Sequence, residues 1–249
     1  MTSPSPTNEL LPSQPSAIAR FVRVVAGACA VGLVVGGVIA GVGGRLAMRL
    51  LAVTSDDRLR GRVTDDDEVV GEITAGGTIG FIIFMALSGA ALALFYVVLR
   101  RWLPAQARWR ALAFAGLFWA VQGQDIFESD GFDFRELSPR WLAVLLFTAI
   151  MIAVGWLTVL GVDDALARWP LPSPRSWASV LPLVPMILFF PILIGAALVG
   201  LLALAIERVQ VLSTVWRSRA MTAVGVGLLV VTALINGGSA LREVAKILA

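Results

Sequence analysis

The sequence predicts an all-α protein, a polytopic transmembrane helical bundle with six spans, and three observations lead there. Of the 249 residues 58% are hydrophobic and only 15% are charged, and the mean hydropathy is +0.85, far from the balance of soluble domains. The apolar residues gather in runs of about 20, the length that crosses the hydrocarbon core of a bilayer. Trp102, Trp109, Trp141, Trp169, Trp177 and Trp216 fall near the ends of those runs, as an interfacial aromatic belt requires, whereas Trp119 and Trp156 do not.

In chain order, 1–19 is rich in Pro and Ser and has little to bury, so it is expected to be a disordered tail ahead of one membrane domain, 20–249. The first span is placed at 24–44 behind Arg20 and Arg23. Its 21 apolar residues exceed the h-region of a cleaved signal peptide, about 7 to 15 residues, so it reads as a retained helix. Spans at 73–99 and 141–160 are clear from their apolar runs. The third, 111–127, starts apolar but carries Gln122, Gln124 and Asp125 in its second half, so it either crosses with a polar end or re-enters under cover of protein. The fifth, 179–206, contains Pro182, Pro185 and Pro191 and needs a tilt or a kink. The sixth is placed at 220–240.

Orientation follows from the arginines. Arg100 to Arg110, RRWLPAQARWR, holds four Arg and no acid, and such a short loop belongs in the cytoplasm. Six alternating spans then leave both termini cytoplasmic. Counted over the whole chain, that arrangement gives a tie, ten basic residues on each side, with most of the acids outside.

Packing signals are strongest in the first span. Ala28, Gly32, Gly36, Ala40 and Gly44 recur every fourth residue, a stripe of small side chains that lets another backbone approach. The partner is either another helix of this chain or a second copy. Near the outer ends, Arg45 and Arg49 share a face four residues apart, and Glu72 and Asp125 belong to the same leaflet. Ionisable groups at the edge of hydrocarbon pair or line water paths. A charged cluster of Arg45, Arg49, Glu72 and Asp125 with Gln122 and Gln124 is therefore expected. Asn236 is a further polar residue inside a span.

Other chemistry is poorly supplied. The chain has no His, and its one cysteine, Cys29, lies in an apolar run. Zinc, haem and disulfide chemistry are not expected, and neither is any cofactor. Asp65 to Glu68 and Glu128 to Phe134 lack the ligand spacing of an EF-hand and read as solvated loops. No catalytic motif is present, and the basic residues sit at loop boundaries instead of forming a nucleic-acid face.

The succession GRLAMRLLAVTS, Gly44 to Ser55, and GRVTDDDEVVGEITAGGTIGF, Gly61 to Phe81, resembles an uncharacterised family of multi-pass integral membrane proteins of actinobacteria. The resemblance implies a bacterial plasma-membrane location and a helical bundle, and it brings no activity or functional residue. The function expected from the sequence is that of an accessory or structural membrane protein without enzymatic activity. Its partners would be the lipid bilayer and either a second copy or another membrane protein. The alternative is a small transporter or channel with a charged outer mouth.

Overall fold

The computed structural model describes residues 16–55, 74–129, 138–170, 177–187 and 218–249, and among these the chain is helical with no strand. Helix α1 (Ala17–Val35) passes through a π-helical stretch (Gly36–Val42) into α2 (Gly43–Thr54) without a break. Then come α3 (Ala75–Leu99), α4 (Ala107–Ile126), α5 (Arg140–Arg168), a 3-10 stretch (Trp177–Leu183) with a single turn, α6 (Val184–Ile187), and α7 (Arg219–Leu248). The tail 1–15, the acidic loop with Asp65 to Glu68 and Glu72, most of the second acidic loop, and 188–217 lie outside the described residues.

Several helices start where a hydroxyl can satisfy the open N–H groups of a first turn. Ser16 Oγ accepts from Ala19 N at 3.1 Å, Thr74 Oγ1 from Gly77 N at 3.2 Å, and Ser218 Oγ from Met221 N at 3.1 Å. Among the described residues four helical stretches are long and apolar enough to cross a membrane: Ala17–Thr54, Ala75–Leu99, Arg140–Arg168 and Arg219–Leu248. Arg108, Arg110, Gln122, Gln124 and Asp125 make α4 more polar, yet it is an unbroken helix whose apolar face, with Phe114, Leu117 and Ala120, is buried.

The first helix is longer than its apolar run suggests. It continues to Thr54, 38 residues in all, roughly 57 Å at 1.5 Å per residue, against about 30 Å of hydrocarbon. Arg45 and Arg49 are thus carried on the helix itself. The four-residue stripe also changes step. Gly32 and Gly36 lie backbone to backbone against Gly89 and Ala90 of α3; a Cβ at Gly36 would stand 2.8 Å from Gly89 Cα. The π turn then inserts one residue, so the next place on this contact falls to Gly41, whose Cβ would stand 3.1 Å from Ile82 Cα. Ala40 is only half-buried, and Gly44 resumes the contact against the Phe81 ring.

Contacts fix the direction of each helix. Tracing α1 toward α2, Gly32, Gly36, Gly41 and Gly44 meet Ala90, Met85, Ile82 and Phe81, so this helix and α3 are antiparallel. Gly155 meets Ala115, and Asp163 meets Arg110, so α5 opposes α4. Along α7, Gly225 meets Trp102, Gly237 meets Ala120, and Ala240 meets Gly123. The two sequences rise together, so α7 runs parallel to α4.

One end of the bundle, the near end, therefore holds Ala17, Leu99, Ala107, Arg168 and Arg219. The far end holds Thr54, Ala75, Ile126, Arg140 and Leu248. The six-span expectation is met in part: the described residues are all helical, and four of their helices are long and apolar enough to span a membrane. Residues 169 and 218 both lie at the near end, and Ala17 and Leu248 lie at opposite ends. The described start of that predicted span is a 3-10 stretch containing Pro182, packed against α1 and held by a hydrogen bond from Trp169 Nε1 to Ser179 O at 3.0 Å. Proline at 182 and 185 removes the amide hydrogens that an α-helix would use there.

Candidate functional site

The ionic centre of the described structure is at the near end, around Asp163 of α5. Tyr96, on the last turn of α3, donates its hydroxyl to Asp163 Oδ1 at 2.7 Å. Arg100, which caps the same helix, brings Nε to that oxygen at 2.9 Å. Arg110, on the first turn of α4, donates Nη1 to Asp163 Oδ2 at 3.0 Å. Three helices are thus joined through one carboxylate. Asp163 is 18% exposed and Arg110 11%, while Arg100, at 41%, reaches solvent.

Arg110 also shapes the α3–α4 turn. Its Nε donates to Pro104 O at 3.0 Å, and its Nη2 donates to Ala105 O. A planar guanidinium can satisfy a carboxylate and two carbonyls at once, which a lysine ammonium cannot match in geometry. Below this network, Tyr96 meets Phe114 edge to face, with ring centroids 5.1 Å apart, in a core that includes Ala28, Ala93, Leu117, Val159 and Val162. Arg23 of α1 donates Nη2 to Leu166 O at 3.2 Å, satisfying one of the open carbonyls in the last turn of α5.

Charge is distributed unevenly between the ends. Among the described residues the near end carries Arg20, Arg23, Arg100, Arg101, Arg108, Arg110, Arg168 and Arg219 against Asp163 and Asp164. The far end carries Arg45, Arg49, Arg140, Arg242 and Lys246 against Asp125, Glu128 and Glu243.

Of the cluster expected at the far end, Arg45, Arg49, Gln122, Gln124 and Asp125 are among the described residues. Arg45 donates Nη2 to Gly77 O at 2.8 Å, and its guanidinium carbon lies 4.7 Å from the Phe81 ring centroid, so α3 supplies both a carbonyl and a π-face for the cation. Arg49 is exposed on α2. Asp125 is exposed, and Gln122 and Gln124 are half-buried. Glu72 lies outside the described residues. Asn236 turns its amide back onto its own helix, donating to Thr232 O at 2.8 Å. Ser55 and Ser138 also tie the far end, with Ser138 N donating to Ser55 Oγ at 2.9 Å and Ser55 Oγ donating to Ser138 O at 3.1 Å. Glu243 adds a contact from Ser129 N at 3.4 Å and an ion pair to Lys246 at 2.6 Å.

Asp163, Tyr96 and the pairing of Arg100 and Arg110 are absent from the sequence expectations, although signals for them exist. Tyr96 is the only tyrosine and lies in an apolar helix, where its hydroxyl needs a partner. Four arginines without an acid in the adjoining loop call for a carboxylate from elsewhere, and Asp163 follows directly on the apolar run of α5.

The arrangement can hold helices and present cations; among the described residues no group of three or more Cys, Asp or Glu side chains could hold a metal ion. Comparison with protein-family models, curated proteins and solved structures finds no match, so the resemblance of 44–81 to an actinobacterial family gains no support from it.

Proposed function

We propose that this chain is an accessory or structural protein of the bacterial plasma membrane, without catalytic activity, working through helix and loop contacts with the bilayer and with a second copy or another membrane protein. The observation that carries this reading is where the polar groups sit. Asp163 is engaged by Tyr96, Arg100 and Arg110 at one end of the bundle. Asp125 is exposed at the other, and Asn236 is satisfied within its own helix. Between the ends, helices meet through glycine and alanine, at Gly36 on Gly89 and Gly155 on Ala115. Such contacts suit a scaffold.

The near end belongs in the cytoplasm in this reading. Its described residues supply eight arginines against two aspartates, a clearer bias than the six-span scheme allows, and basic residues close to helix ends favour the cytoplasmic side. The C-terminus then emerges outside.

Reconstitution into liposomes tests the function. Proton and potassium flux through vesicles holding the protein is expected to match that of protein-free vesicles. A saturable flux that falls with Asp125→Asn would overturn the reading in favour of transport.

A further inference from the structure

The turn that Arg110 pins has an outer side which the ionic network does not use. There Pro104, Ala105, Gln106, Trp109, Leu112 and Ala113 wall an open recess of about 560 Å³. Trp109 is 53% exposed and Leu112 47%, so the recess lies on the outward face of α4, toward lipid. Arg108 stands beside it. Its guanidinium carbon is 5.9 Å from the Trp109 ring centroid, its side chain is exposed, and among the described residues it makes no ion pair. The carboxylate at this end that faces α4, Asp163, is already engaged by Arg100 and Arg110. An apolar hollow with an unneutralised cation at its lip, at the end of the bundle richest in arginine, complements a molecule with an apolar chain and an anionic head.

We propose that this recess seats an anionic phospholipid of the surrounding leaflet, with the headgroup phosphate against Arg108 and one acyl chain lying over Trp109 and Leu112. Gln106, exposed on the same lip, offers an amide hydrogen to the headgroup. The recess is preformed, because Arg110 holds Pro104 O and Ala105 O while anchored on Asp163. The inference rests on the membrane reading above, and the two fail separately. If alkaline carbonate extracts the full chain from membranes, the membrane reading falls before any lipid is measured.

The test is native mass spectrometry of the full-length protein in detergent with equimolar phosphatidylglycerol and phosphatidylcholine. The wild type is expected to retain phosphatidylglycerol preferentially. Arg108→Gln should lower that preference about fivefold, the effect of one basic residue at an anionic surface, Arg108→Lys should keep most of it, and Arg242→Gln at the far end should leave it unchanged. Equal retention of the two lipids, or an undiminished preference in Arg108→Gln, would overturn the proposal. So would displacement of the lipid by millimolar inorganic phosphate, which would mark a site for the free anion.

Discussion

The two ends of the bundle are built by different means. At the near end, Asp163 binds α3, α4 and α5 together from a position 18% exposed, directly above the core of Tyr96, Phe114 and Val162. At the far end the core of Leu51, Phe127, Ala143, Met151 and Ile247 is sealed by exposed hydroxyl-to-backbone bonds and an exposed Lys246–Glu243 pair. A carboxylate removed from water depends on its partners, because breaking a buried pair leaves an uncompensated charge. A pair in water depends on them little. The near end is therefore expected to respond more strongly to loss of its carboxylate than the far end does to loss of its Ser55 hydroxyl.

The sharpest way to break this comparison concerns sidedness, because its outcome is all or none. With α7 parallel to α4, Gln106 and Ala249 lie at opposite ends. Cys29 is fully buried and is the only native thiol, so single cysteines can be added to the native chain. In intact cells a membrane-impermeant maleimide is expected to label Ala249→Cys and to leave Gln106→Cys unlabelled until the membrane is opened. Labelling of both, or of neither, would refute the direction assigned to α7.

Next in size is the loss of the near-end carboxylate. Asp163→Asn leaves Arg110 half-satisfied at 11% exposure and should cost about 3 kcal/mol. Tyr96→Phe removes one hydrogen bond to a charged acceptor and should cost about 1.5 kcal/mol. At the far end Ser55→Ala should stay within about 0.5 kcal/mol. Cys29 again provides the readout, since a thiol-reactive dye reports its exposure as the protein unfolds in nanodiscs. A ranking in which Ser55→Ala lowers the midpoint as much as Asp163→Asn would erase the distinction between the ends.

How much of this could be read from the sequence follows the kind of interaction. Apolar runs place α1, α3, α5 and α7, because the bilayer sets their length and the composition shows it. The Gly32–Gly36 stripe marks a close helix contact, but the π turn that passes the next step from Ala40 to Gly41 is a backbone event, and no period of four reveals it. The parallel run of α7 beside α4 was hidden for a different reason. Counting spans assumes that each apolar run crosses once, whereas the direction of α7 is set by contacts such as Gly237 on Ala120 and Ala240 on Gly123, which no composition reveals. The Asp163 network was half visible: the arginines and the tyrosine announce a need for a carboxylate. Choosing Asp163 over Asp164 requires knowing which face of α5 is buried.

That choice supplies the finest test. Asp164 follows Asp163 in the chain and also pairs with an arginine, Arg168, at 2.8 Å. One residue of helix rotation separates their environments: the Asp164 and Arg168 side chains are 53% and 79% exposed, and both groups keep most of their water whether or not they meet. Helix pairs of this i, i+4 kind contribute about 0.3 to 0.5 kcal/mol in isolation, and less once the arginine's exposure is allowed for. Asp164→Asn is therefore expected to move the unfolding midpoint hardly at all, in the same assay in which Asp163→Asn lowers it by several degrees. The two variants remove the same charge from adjacent positions at the same end, so net charge and proximity to lipid are matched, and only burial and partner number differ. Equal losses from the two would mean that the near end is held by its overall field. The unequal losses expected here would tie its stability to the single carboxylate shared by Tyr96, Arg100 and Arg110.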